Sequence, residues 1–245
     1  LTVTSAGSTN YNSVSVSQLI TIIKGTPTLS ITSANTVRVN ASLTATVSTT
    51  AIGGGGLITF SIAAGSGSAT VNANTGLVTG ISVGTVTLTA TAAGDTNYNV
   101  ASVAQLITIA KATPTLIITS ANTLRVDNSL TATVTTTATL GRGGLITYSI
   151  VAGSGSATVN ASTGVIVGTR VGTVTLTATA VGDTNYNLAT VSQLITITAT
   201  TPTLTIISAN TMLVDGTLTA AVSTTASHSI GGLSYSITNG TGAAV

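Results

Sequence analysis

Apolar and polar residues alternate strictly over residues 84–91, which read Gly-Thr-Val-Thr-Leu-Thr-Ala-Thr. Val86, Leu88 and Ala90 fall on one side, and Thr85, Thr87, Thr89 and Thr91 on the other. That is the two-residue period of a strand with one buried face. Residues 42–49 alternate in the same way, with Leu43, Ala45 and Val47 sharing a face. The pattern predicts strands near 28–32, 37–39, 42–49, 57–63, 69–71, 77–81, 84–92 and 101–109. Stretches rich in Gly and Asn separate them at 53–56, 65–67, 72–76 and 94–99, where turns need such residues. No segment carries a helical period, and the weight of β-branched residues disfavours helix.

The strand pattern repeats. Pro27, Pro114 and Pro202 sit in Thr-Pro-Thr-Leu contexts 87 and 88 residues apart. Tyr11, Tyr98 and Tyr186 sit in Thr-Asn-Tyr-Asn contexts with the same spacing, and Phe60, Tyr148 and Tyr235 follow it too. Gly-Ser-Gly-Ser-Ala-Thr-Val-Asn-Ala occurs at 65–73 and again at 153–161. The period predicts complete repeats at 26–112 and 113–200, the C-terminal part of a repeat at 1–25 and the N-terminal part of another at 201–245. A lone hairpin is marginal in water, so the end pieces suggest a window from a longer array. A unit of this length is too long for a solenoid coil and suits one small β-sandwich.

Composition narrows the function. Of 245 residues, 43% are hydrophobic and only 4% charged, with a net charge of +2, one His and no Cys. So low a charge gives no electrostatic footprint for nucleic acid. Catalysis needs titratable groups gathered in a cleft, and four acidic residues, six basic ones and His228 leave little to gather. The absence of Cys removes thiol nucleophiles, disulfides and thiolate zinc sites. Mean hydropathy is +0.61, yet Thr, Ser or Gly interrupts each apolar run well before membrane-spanning length. No enzyme activity, cofactor, metal or membrane span is expected of this segment.

The run Ser-Ala-Thr-Val-Asn-Ala-Asn-Thr-Gly-Leu-Val-Thr-Gly-Ile-Ser-Val-Gly-Thr-Val-Thr-Leu-Thr-Ala-Thr-Ala-Ala-Gly-Asp-Thr-Asn-Tyr-Asn at 68–99 resembles the second half of a bacterial immunoglobulin-like domain, and its copy at 156–187 does so equally. Such domains recur in tandem in invasin- and intimin-type adhesins and in very long repetitive surface proteins. The resemblance implies an all-β fold, a linear array of immunoglobulin-like β-sandwich domains with two complete and two partial. It also implies an extracellular, bacterial cell-surface location and a role in attachment. Among the homes the resemblance implies are the very long adhesins of gliding bacteria and of biofilms, which no residue here singles out.

Several local features have ordinary readings. The Gly run at 53–56 lacks a following Gly-Lys-Ser/Thr, and its counterpart at 141–144 carries Arg142, so it is a loop and not a phosphate cradle. Asp95 and Asp183 lie in Gly-Asp-Thr-Asn-Tyr-Asn loops, where Asp and Asn favour turns that bond their own backbone. Asn40, Asn160 and Asn239 match the N-glycosylation pattern by chance in a chain rich in Asn, Ser and Thr. Outward Thr ladders need only strand propensity, since twisted sheets make poor ice-binding arrays.

One constellation recurs at the predicted poles. Counting strand reversals puts loops 49–56 and 93–99 beside Pro27, where the preceding domain ends at Lys24. The counterpart set is Lys111, Pro114 and loops 137–144 and 181–187. Lys24 is expected to reach Asp95, and Lys111 to reach Asp183, while Tyr98 and Tyr186 cover the pole and touch the linker. Pro fixes φ and stiffens so short a connection, which gives one reading, a semi-rigid joint between neighbouring repeats; the alternative is a solvated loop next to a flexible hinge. The expected function is a stalk or spacer of a long surface adhesin, with ligand contacts made by a part outside this segment. A directly adhesive module binding a glycan or receptor is the second reading, and a subunit of a polymeric filament assembled from like chains the third.

Overall fold

In a computed structural model the described residues are 1–53, 55–138, 144–227 and 230–238. Arg142, His228 and Asn239 lie outside them. Two compact units emerge, one of Leu1–Pro114 with Ala138–Gly144 and Gly182–Leu188, the other of Thr115–Thr137, Leu145–Val181 and Ala189–Val245. Ala138, Gly144 and the loop Gly182–Leu188, which the sequence period assigns to the second repeat, therefore group with the first unit.

The first unit carries β1 (Thr2–Ser5), β2 (Val14–Ser17), β3 (Leu29–Ile31), β4 (Thr36–Arg38), β5 (Ser42–Thr44), β6 (Val47–Thr49), β7 (Ile58–Ala64), β8 (Ser68–Val71), β9 (Leu77–Ser82), β10 (Gly84–Ala92) and β11 (Ala101–Ala110). One sheet runs β4-β11-β10-β7, with β4 parallel to β11 and the rest antiparallel. A second layer combines β3-β6 with β5-β9-β8. Lettered in the usual way, the layers are A-B-E-D and A′-G-F-C, the arrangement of a constant-type immunoglobulin sandwich with an added A′ strand.

The expected strand at 42–49 is two strands. β5 pairs with β9 and β6 pairs with β3, so the chain changes partners at Ala45 and Thr46. The Ala45 N–H turns to Gly76 O (2.8 Å), and Thr46 O accepts from the Thr32 N–H (2.9 Å). Alternation survives the switch because Ala45 is buried between the half-buried Leu43 and Val47.

The second unit holds β12 (Leu116–Ile118), β13 (Thr123–Arg125), β14 (Ser129–Thr131), β15 (Val134–Thr136), β16 (Ile146–Ala152), β17 (Ser156–Val159), β18 (Val165–Arg170), β19 (Gly172–Ala180), β20 (Ala189–Thr198), β21 (Leu204–Ile206) and β22 (Val222–Thr224). β12 to β20 reproduce β3 to β11 one for one, down to the parallel β13–β20 pair and the register shift after Ser156 that copies the one after Ser68. This all-β, immunoglobulin-like architecture explains the Thr pattern. Val86, Leu88 and Ala90 are 0% exposed, as are Val174, Leu176 and Ala178, while the intervening Thr residues face outward. Burying one such Leu or Val contributes roughly 1.5–3 kcal/mol. Outward hydroxyls bond across strands instead, as in Thr32–Thr46 and its copy Thr119–Thr133, both 2.8 Å.

Among the described residues of 1–24 and 201–238, the paired strands are β1-β2 and β21-β22. Ile20 and Ile22, the counterparts of the buried Ile107 and Ile109, are 59% and 93% exposed. Among the described residues no helix is long and apolar enough to cross a membrane.

Candidate functional site: the tyrosine turn and its linker

Each Gly-Asp-Thr-Asn-Tyr-Asn segment folds on its own aspartate. Asp95 Oδ1 accepts the Asn97 and Tyr98 N–H groups at 2.7 and 2.8 Å, and Asp183 Oδ1 accepts those of Asn185 and Tyr186 at 2.7 and 2.9 Å. The Asp N–H closes the turn on the tyrosine carbonyl at 3.0 Å in both copies. At Tyr11 a serine replaces the aspartate, and the Asn10 N–H reaches Ser8 Oγ only at 3.4 Å.

The turn then grips the linker. The Gly25 N–H donates to Asn97 O and the Asn99 N–H to Gly25 O. Ala112 repeats this with Asn185 and Asn187. Asn99 Nδ2 donates to Thr26 Oγ1 (3.1 Å), and Asn187 Nδ2 to Thr113 Oγ1 (3.0 Å). The lysines close the set differently from the expected charge pair. Lys24 Nζ donates to the Asp95 backbone carbonyl and Lys111 Nζ to that of Asp183, each at 2.7 Å. The turn N–H groups take Oδ1 of each carboxylate, and the ammonium meets the backbone carbonyl of the same residue.

Pro27 is buried next to this set. A methyl group on Gly55 would lie 3.6 Å from Pro27 Cγ and 3.8 Å from Tyr98 Cβ, so proline, glycine loop and tyrosine converge. Gly56 is fixed more tightly, with φ +95° and a position 2.2 Å from Gly94 O for any Cβ. Only glycine admits that backbone and that approach. Gly144 holds the same relation to Gly182, at 2.3 Å.

The three tyrosines differ in what covers them. Tyr11 is 78% exposed. Tyr98 is half-buried, and its hydroxyl accepts the Ile52 N–H at 3.0 Å. Tyr186 is 2% exposed, joins the core of the first unit with Val39 and Ala138, and its hydroxyl accepts from Asn40 Nδ2 (2.5 Å). Beside it, Asn185 Oδ1 accepts the Val83 N–H (2.9 Å). Sequence reasoning missed Asn40 and Val83. The signal for Asn40 was present: Asn40, Asp127 and Asp215 stand at equivalent positions, and all three take positive φ, 61°, 65° and 62°. Asn and Asp are the side-chain types that tolerate that backbone.

The arrangement clamps backbone to backbone, and among the described residues it aligns no nucleophile with a base. The side chains of Asn40 and Asn160 are also engaged, Asn160 Oδ1 accepting the Ser162 and Thr163 N–H groups at 3.0 Å.

No protein-family model matches this chain, and no curated protein does. Among solved structures it is similar to human CDH23 EC21-23, at 18% identity and TM-score 0.31, over 77% of this chain and 68% of that one. It is similar to a C-terminal 282-residue fragment of intimin in complex with the intimin-binding domain of the translocated intimin receptor, at 16% and 0.29, over 75% and 67%. It is also similar to Sidekick-1 immunoglobulin domains 1–5, at 11% and 0.26, over 80% and 45%. Likeness at this level leaves the fold resting on the strand order itself.

Proposed function

We propose that this chain is a spacer segment in the stalk of a long extracellular adhesin at a bacterial surface. The observation that carries the reading is the fidelity of the copies at their poles and outer faces. Asp95 and Asp183, Lys24 and Lys111, and Gly56 and Gly144 make the same contacts at matching distances. A binding site grafted onto one repeat would break that equivalence, because recognition needs a position-specific pocket or aromatic patch. The residues Lys24, Pro27, Asp95 and Tyr98, with Lys111, Pro114, Asp183 and Tyr186, serve in this reading to tie each turn to its linker.

Removing residues 113–200 from the surface protein tests it. Attachment should persist while the reach of the stalk shortens by one repeat. Loss of attachment that an unrelated spacer of equal length fails to restore would overturn the reading in favour of direct binding.

A further inference from the structure

The second unit contains a cavity of ≈ 270 Å³ lined by residues that include Val126, Asp127, Val171, Thr200 and Pro202. That is below the roughly 300–1,000 Å³ usual for small-molecule sites. Much of its lining stands at positions equivalent to residues around the Tyr186 turn and its linker. Val126 stands where Val39 does, Asp127 where Asn40 does, Val171 where Val83 does, Pro202 where Pro114 does, and Ala226 where Ala138 does.

The two copies differ in cover. With Tyr186 in place, Val39 is 2% exposed, and Pro114 and Ala138 are buried. In the second copy Val126, Pro202 and Ala226 are only half-buried, and Val171 is 50% exposed against the half-buried Val83. The backbone beneath is unchanged: the Asn40 N–H donates to Gly80 O and the Asp127 N–H to Gly168 O, both at 2.9 Å.

We infer that this cavity is a socket for the tyrosine of a Thr-Asn-Tyr-Asn turn carried by a further repeat of the same kind. The ring fills the space between Val126, Val171 and Pro202. The phenol hydroxyl donates to the Asp127 carboxylate, reversing the polarity of the Asn40–Tyr186 bond. A carboxylate accepts several hydrogen bonds, so this one adds to those Asp127 already makes. The turn's first Asn takes the Val171 N–H as Asn185 takes that of Val83. Ala199 occupies the position of Lys111, so this socket holds its turn without an ammonium clamp. The inference stands on the occupied copy and is independent of the spacer reading.

The chain has no cysteine, so Ala199→Cys introduces a single thiol at an exposed position on the rim. The full 245-residue variant is equilibrated under thiol–disulfide exchange with two competing peptides, each with a leading Cys. One continues Gly-Asp-Thr-Asn-Tyr-Asn-Leu, and the other has Ala in place of Tyr. Burial of one aromatic ring predicts capture of the tyrosine peptide in about tenfold excess or more. The excess should vanish on adding Val171→Lys, and should not occur when the thiol is placed by Ser102→Cys instead. Equal capture of the two peptides overturns the proposal, as does an excess that survives Val171→Lys or follows the thiol to Ser102→Cys. Self-association of the unmodified chain that Tyr11→Ala abolishes would make a second copy the occupant, and would overturn the assignment to a further repeat.

Discussion

Tyr186→Ala should lower the unfolding free energy by about 3 kcal/mol or more, the range for deleting a buried aromatic side chain. Tyr186 is 2% exposed and packs in the core of the first unit, so its removal leaves a cavity that its neighbours cannot close. It also strips the Asn40 amide of a partner. Tyr98→Ala should have a smaller effect, since Tyr98 is less completely buried than Tyr186. Tyr11→Ala should be nearly silent, because its ring is 78% exposed. Tyr186→Phe separates the terms: it keeps the ring, loses the hydroxyl, and should cost about 1 kcal/mol. Denaturant titration of the four variants measures the series. Equal losses for Tyr186→Ala and Tyr98→Ala would show that cover by Val39 and Asn40 adds nothing.

The second large effect lies in the sandwich core. Leu88→Ala and Leu176→Ala should each destabilise by about 2–5 kcal/mol, and by closely similar amounts. Both side chains are 0% exposed at the centre of a nine-residue strand, in matching registers against β11 and β20. Leu106→Ala and Leu194→Ala, each 58% exposed, should change stability by no more than about 0.5 kcal/mol. Thermal or denaturant unfolding of the four reads the register directly, because a slip by one residue would reverse which leucines matter.

The strands were legible because their pattern is simple. Val86, Leu88 and Ala90 alternate with Thr over a full strand, and the interior takes one set and solvent the other. The partner switch at Ala45 was not legible. Alternation continues through it, and pairing is decided by β3 and β9, far away in sequence. At the poles, the meeting of Lys24 with Asp95 and of Lys111 with Asp183 could be read from strand reversals and spacing. The atoms could not. Complementary charge suggests a carboxylate–ammonium pair, whereas the local turn engages the carboxylate first and leaves the carbonyl to the lysine. Contacts such as Val83 with Asn185 carry no sequence signal, since a backbone N–H looks the same at every position.

The proposed spacer role requires each complete repeat to be an immunoglobulin-like domain that resists extension by itself. Stretching single chains held by their ends tests it most directly. The account predicts two separate unfolding events, each releasing on the order of 250–300 Å of chain, the extended length of one repeat less its folded span. A single event that releases both repeats together, or a smooth extension without events, would contradict it.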